Sequence, residues 1–177
     1  MTTLELTQNI NINTNIGTNI PLSHNFVLWC HDIFNKDWSL QGYQSLCTIT
    51  NVSEFWQLFN NLNKLGYKVN NFFLMKEGIE PTWEHEKNRN GGICSLKTDI
   101  SDALNMYEEL CSYMVCNSLT DCPSDITGIS FSPKNNWAII KIWNSSKLND
   151  LSVTLNTELL GKYKDNSIKY KENNPEY

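Results

Sequence analysis

The chain of 177 residues has fourteen Lys and Arg against nineteen Asp and Glu, a formal charge of −5, and 40% hydrophobic residues. That length and apolar content suit one domain with a sizeable core, and the acidic balance argues against gripping long nucleic acid through a basic stripe. A compact nucleotide ligand stays open, but Arg89 is the sole arginine, so phosphate contacts would fall to lysines instead of bidentate guanidinium forks.

In chain order, residues 1–20 are rich in Asn and Thr without a period and read as a flexible tail ahead of a domain over 21–177. Phe26 to Trp29 reads as a strand, with Trp29 a core residue, and Tyr43 to Ile49 alternates as a second strand. Asn51 followed by Glu54 marks a helix start, because the two side chains can satisfy free amides of the first turn. Phe55, Phe59 and Leu62 then line a core face, while Val52 and Trp56, four apart, form an outward apolar ridge suited to a partner.

Phe72 to Met75 and Ile93 to Leu96 are further strands, and a second helix over about Asp102 to Asn117 aligns Leu104, Tyr107, Cys111 and Met114 on one stripe. Strands follow at Ile126 to Phe131 and Ala138 to Trp143, then a third helix from about Leu151 to Tyr163 and a strand at Ser167 to Tyr170. Seven short strands and three helices without regular βαβ alternation favour an antiparallel α+β domain.

The six cysteines form no CxxC, and the opening MTTLELTQNI lacks the basic and apolar regions of a signal peptide. Reduced thiols in a cytoplasmic protein are therefore expected, which leaves the sequons at Asn51 and Asn144 without meaning. No apolar run approaches a membrane span.

The most informative stretch is GIEPTWEHEKNRNGG, Gly78 to Gly92, which sets Trp83 beside Glu84 in a polar loop after the Pro81 turn. An indole face can stack on a base while a neighbouring carboxylate reads its edge. Most tryptophans are core residues, but Trp38 in NKDWSLQG and Trp83 in EPTWEHEK lie in polar surroundings that weaken that reading. Glu84, His85 and Glu86 invite a metal or acid/base reading, yet His24 and His31 share no ligand-like spacing with His85. No phosphate loop or nucleophile elbow appears, and no metal, cofactor or catalysis is expected.

Four stretches in order resemble the translation initiation factor 4E family, which binds the 7-methylguanosine cap of messenger RNA: Pro21 to Trp29, Val52 to Trp56, Gly78 to Gly92 and Ile139 to Trp143. The resemblance covers about Pro21 to Tyr170 and implies a curved, mostly antiparallel sheet shaped like a cupped hand, with three helices across its convex face. It implies that Trp38 and Trp83 sandwich the methylated base, Glu84 accepts from its Watson–Crick edge, Trp143 lies beside the methyl group and Lys134 faces the phosphates. Methylation gives guanine a delocalised positive charge, so indole faces gain a cation–π attraction for it, and a carboxylate suits guanine's donors where adenine presents an acceptor.

Two departures from the family pattern stand out. Ile93 and Ile139 fall where many members carry phosphate-facing basic residues, so that role passes to Lys134, Lys141 or Lys147; Cys94 replaces a usual tryptophan. On the convex face Pro21, Val52, Trp56 and Glu109 match positions that dock a helical tyrosine/leucine peptide of a scaffold or repressor, whereas Ile20, Glu108 and Ser112 do not match. The resemblance thus implies a non-enzymatic, monomeric protein connecting capped messenger RNA to a protein partner in translation initiation. Its alternatives are a cap-binding repressor homologue and an interaction module with weakened cap binding.

Overall fold

The computed structural model describes residues 19–174. Of the segment expected to be a tail, residues 1–18 lie outside the described residues, while the Ile20 carbonyl accepts from the Val52 amide at 2.9 Å. Seven strands form one sheet: β1 (Pro21–Asp32), β2 (Gln44–Asn51), β3 (Asn70–Lys76), β4 (Gly92–Asp99), β5 (Ile126–Pro133), β6 (Trp137–Asn144) and β7 (Lys169–Glu172). Their order across the sheet is β2-β1-β3-β5-β6-β4-β7, every neighbouring pair antiparallel. The sheet is curved, and the β1–β2 register slips between Pro21 and Phe26 and again between Leu28 and Trp29, irregularities of the kind that bend a strand.

Alternation decides which side chains face which side. In β1, Phe26, Leu28 and Cys30 enter the main core, and the intervening Trp29 and His31 face the other side. The central strand β3 is buried almost throughout, which is why NNFFLMK reads as an apolar run instead of an alternation.

Helices α1 (Val52–Asn61), α2 (Ala103–Val115), α3 (Leu151–Thr154) and α4 (Thr157–Lys162) cover the main-core face. At α1 the Asn51 side chain accepts from the Glu54 amide at 2.9 Å, and the Glu54 carboxylate reaches back to the Thr50 amide at 2.7 Å. Phe55 and Phe59 are buried as the spacing predicts, and Leu62 is buried in the 3₁₀ turn that follows. In α2, Tyr107, Cys111 and Met114 are buried and Leu104 packs against the core's edge.

The helix expected over Leu151 to Tyr163 is instead two short ones. Leu155 is extended (ψ 151°) and bridges to Thr120, and Asn156 restarts the chain by capping the Glu158 amide at 2.9 Å. A long-range strand contact therefore overrides local helical spacing. All six cysteines are unpaired, with Cys30, Cys94 and Cys111 buried.

On the face away from the helices a smaller cluster gathers Phe73, Met75, Ile93 and Trp143, flanked by Trp29, Tyr43 and Ile79. Trp29 accordingly belongs to this second cluster, partly buried, and not to the main core. Gly128 lets it close, because a Cβ there would collide with the Met75 side chain and lie 2.7 Å from the Leu74 carbonyl oxygen.

Candidate functional site: an aromatic cleft on the concave face

One wall rises from the loop between β1 and β2. Asp32, Asn35 and Asp37 each accept from the backbone amide two residues on, at 2.8 to 2.9 Å, a series of turns that fixes this polar segment. Its Trp38 is 55% exposed, yet one indole face is covered by the His31 ring, 4.0 Å away at 11°. His31 in turn meets Tyr43 at 4.8 Å, Tyr43 meets Phe73 at 5.2 Å and Phe73 meets Trp143 at 6.3 Å. A continuous aromatic chain thus runs from the exposed plate to the cleft floor.

The opposite wall is the loop from Glu77 to Gly91. Its Trp83 is 44% exposed and Glu84 is exposed beside it. Asn88, fully buried, donates its side-chain amide to the Glu80 carbonyl at 2.9 Å and the Thr82 carbonyl at 2.8 Å, and its backbone carbonyl accepts from Asn173 at 2.8 Å. Gly91 closes the loop where a Cβ would overlap the Asn144 carbonyl. A single buried amide therefore pins the backbone on both sides of Pro81, just ahead of Trp83.

The floor comes from β3, β5 and β6. Trp143 is buried and donates its indole N–H to the Ser130 hydroxyl at 3.0 Å. Two residues back on the same strand face, Lys141 stands opposite Ser130 on β5 and Ser95 on β4. Burial, with the Lys134 charge as a smaller contribution, pulls the Lys141 ammonium below the ordinary lysine range. It makes no hydrogen bond or ion pair among the described residues. Tyr43 shifts the opposite way: burial, reinforced by the nearby Glu84 charge, holds its phenol well above its usual value.

Together Trp38, Tyr43, Trp83, Glu84, Lys141 and Trp143, with Phe73, Thr82 and Ser132, enclose a cleft of about 340 Å³. Lys134, the expected phosphate-facing cation, lies outside it. It sits at the tip of the β5–β6 hairpin, where its amide bonds to the Trp137 carbonyl at 2.8 Å, on a separate depression with Ile33, Lys68 and Trp137. Lys147 pairs with Glu172 at 3.6 Å and does not line the cleft either. His31, Tyr43, Asn88 and Ser130 carry no local sequence signal of a place at this site: His31 stands out in sequence only as a metal-ligand candidate, and an asparagine among the many of this chain carries no sign of burial.

On the convex side Pro21 pairs with Asn51, just ahead of α1; Val52 is half-buried and Trp56 is 43% exposed with its ring edge-on to Phe55. Glu109 of α2 is also engaged within the protein: Lys162 donates to it at 2.6 Å and the Tyr163 hydroxyl bonds to it. No helix among the described residues is long and apolar enough to cross a membrane, and no cluster of three or more His, Cys, Asp or Glu side chains there could hold a metal.

A curved antiparallel sheet backed by helices, with two exposed indoles and a carboxylate around one concave cleft, defines an α+β protein with an aromatic ligand-sized pocket. The chain belongs to the eukaryotic initiation factor 4E family, whose model matches residues 21–176. It is 28% identical over 134 residues to the eukaryotic translation initiation factor 4E homolog of Acanthamoeba polyphaga mimivirus, covering 64% of this chain and 49% of the relative. It is 30% identical to the Dictyostelium discoideum factor over 71% of this chain and 52% of the relative, and 28% identical to the Homo sapiens factor over 76% and 64%. The chain thus spans about half to two thirds of the length of these curated relatives.

Among solved structures, the fold matches Ascaris suum eIF4E-3 in complex with m7G cap at a TM-score of 0.74, with 20% identity over 90% of this chain and 94% of the other. It matches C. elegans eIF4E-3 in complex with the 4E-binding protein Mextli and cap analog at 0.76, with 20% identity over 88% and 93%. At that identity these likenesses establish the fold.

Proposed function

We propose that residues 21–177 form a cap-binding domain whose concave cleft holds the 7-methylguanosine cap of messenger RNA and whose convex side engages a protein partner in translation initiation. The observation that carries the reading is one cleft lined by two half-exposed indoles, Trp38 and Trp83, with the Glu84 carboxylate beside them. The indoles would sandwich the cationic base, Glu84 would accept from its edge, and Trp143 would form the floor beneath the methyl group. Lys141, desolvated and without a counter-ion, is the cation suited to a phosphate; Lys134 would act at longer range from the hairpin tip. The role is recognition without catalysis, by a monomer in the cytoplasm.

The test is retention on an immobilised 7-methylguanine nucleotide. Stacking is worth roughly 1–3 kcal/mol per base, so Trp38→Ala or Trp83→Ala should weaken binding on the order of ten- to a hundredfold. Glu84→Ala should do the same while relaxing the preference for guanine. Unchanged retention in all three variants would refute the pocket.

A second reading, a cap-binding repressor homologue, draws on the convex face. Glu109 is engaged internally by Lys162 and Tyr163, and Glu108 and Ser112 replace apolar side chains there. Capture by scaffold and repressor peptides, wild type against Trp56→Ala, separates the two.

A further inference from the structure

The depression at the tip of the β5–β6 hairpin, about 580 Å³, is lined by Ile33, Lys68, Pro133, Lys134, Asn135 and Trp137. Two of these side chains are cationic and none is anionic, on a chain whose formal charge is −5. Asp32, next to Ile33 in the chain, and Asp99, paired with Trp137 across β4 and β6, do not line it. Among the described residues neither the Lys68 nor the Lys134 ammonium makes a hydrogen bond or ion pair; that of Lys68 lies 5.8 Å from the centroid of the Tyr67 ring. Two ammoniums without counter-ions at one depression repel each other, and a polyanion relieves both.

The depression continues the cleft. Ser132 lines the cleft and the next residue, Pro133, lines the depression; Trp38 and Ile33, from the segment joining β1 to β2, divide in the same way. Side chains two apart on a strand share a face, so Trp143, Lys141, Ile139 and Trp137 form one row along β6 from the cleft floor to the hairpin tip. Trp137 stands four residues, about 13 Å, beyond Lys141 in that row. The Lys134 charge reaches Lys141, where it adds to the effect of burial in disfavouring the ammonium. A ligand whose phosphates meet Lys141 therefore leaves the cleft toward Lys134.

Trp137 supplies what a simple anion site lacks. Its indole is partly exposed, and the Lys97 ammonium, 4.5 Å from the ring centroid, holds it from β4 without lining the depression. Lysines for phosphates beside an indole for a base are the two halves of a single-strand site, and Asn135 at the tip offers an amide to a base edge. An acidic peptide would use the lysines and give the indole no role.

We propose that this depression is a second binding site, for the short stretch of nucleotides that follows the cap: Lys134 and Lys68 take their phosphates and Trp137 stacks a base. Its place in the complex rests on the cleft holding the cap, whereas its chemistry stands without that reading. So short a contact also suits an acidic chain, which lacks the basic stripe that a long strand requires.

The test compares wild type, Lys68→Gln and Trp137→Leu in binding 7-methylguanosine diphosphate, a capped tetranucleotide and the same tetranucleotide uncapped. Wild type should hold the capped tetranucleotide about tenfold more tightly than the diphosphate, the contribution of one stacked base. Each variant should lose most of that margin and keep its affinity for the diphosphate, which also reports that the fold is intact. Lys68→Gln should in addition flatten the log–log salt dependence of tetranucleotide binding by roughly 0.7, the share of one single-strand phosphate. Equal affinities for the diphosphate and the capped tetranucleotide in wild type would overturn the proposal, as would a margin that either variant retains in full. Displacement of the tetranucleotide by an equal concentration of polyglutamate would assign the depression to an acidic protein segment and overturn it too. If wild type binds no diphosphate, the cap reading fails and the uncapped tetranucleotide decides the depression alone. Binding that falls about fivefold or more in both variants then supports the proposal, and absent binding, or binding indifferent to both substitutions, overturns it.

Discussion

Trp143 and Ser130 are joined by a hydrogen bond on the cleft floor, from a buried indole N–H on β6 to a hydroxyl on β5 at 3.0 Å. The bond fixes the rotation of a large flat ring about which Phe73 and Ile93 pack. Ser130→Ala removes the acceptor this indole has among the described residues while leaving the donor buried, so the cost is the full desolvation penalty, about 1–3 kcal/mol. A fall in melting temperature of several degrees, with a shifted tryptophan emission, is the expected outcome. Unchanged melting and emission would mean that water reaches the indole.

Lys141 poses the opposite case, a side chain whose charge opposes stability. Its folded-state pKa lies below the ordinary 10.5 of the unfolded chain, because burial penalises the charged form. Between the two values the unfolded chain binds more protons, so this group makes stability rise with pH through that window. Lys141→Met should abolish that contribution and raise the melting temperature at neutral pH by about 2–4 °C, near 1 kcal/mol for a chain of this size. The same variant should bind methylguanosine diphosphate about tenfold or more weakly while leaving the unphosphorylated nucleoside unaffected. Equal losses for both ligands would move the phosphate contact elsewhere.

Much of the fold is legible because its causes are local. Phe26, Leu28 and Cys30 alternate with Trp29 and His31, and Asn51 with Glu54 three residues on announces the start of α1. What the sequence conceals depends on distant partners. Leu155 leaves the helix to meet Thr120, thirty-five residues earlier, and no helical period reveals that. Trp83 and Glu84 stand out through their polar neighbours, but whether Lys134 or Lys141 enters the cleft depends on where the β5–β6 hairpin turns and which residues share the Trp143 face. His31 occupies an ordinary strand position in sequence; only the return of the loop brings Trp38 onto its ring.

Asn88 should prove as important to the cleft as the residues lining it. Its amide satisfies two carbonyls, Glu80 and Thr82, that flank Pro81 in the wall carrying Trp83. Asn88→Ala leaves both without their donor, and the cost should be on the order of 1–3 kcal/mol, concentrated in this loop. Hydrogen exchange over residues 77–91 should accelerate, and binding of methylguanine nucleotide should weaken even though no ligand-facing group has changed. Exchange rates matching wild type would show that the loop is held by its other contacts.

The last expectation concerns alkaline pH. Burial, aided by the Asp150 charge, pushes the Cys94 thiol from 9.0 up to about 12; burial with Asp32 takes Cys30 to about 12, and burial with Glu54 takes Cys47 to about 11. Each folded-state value is raised, so above pH 9 the unfolded chain loses protons that the folded chain retains. The stabilisation is fully present below the unfolded value of about 9 and is lost as pH rises toward 11 or 12. Cys94→Ala removes one of these thiols at the expense of a small cavity, a loss that does not vary with pH. Urea unfolding at pH 7.5 and 10.5 should therefore reveal a smaller alkaline loss in the variant than in wild type, by on the order of 1 kcal/mol. The Tyr43 and Lys141 contributions are common to both proteins and cancel in that difference. An equal loss in both would mean that the Cys94 thiol ionises in the folded protein near its ordinary value.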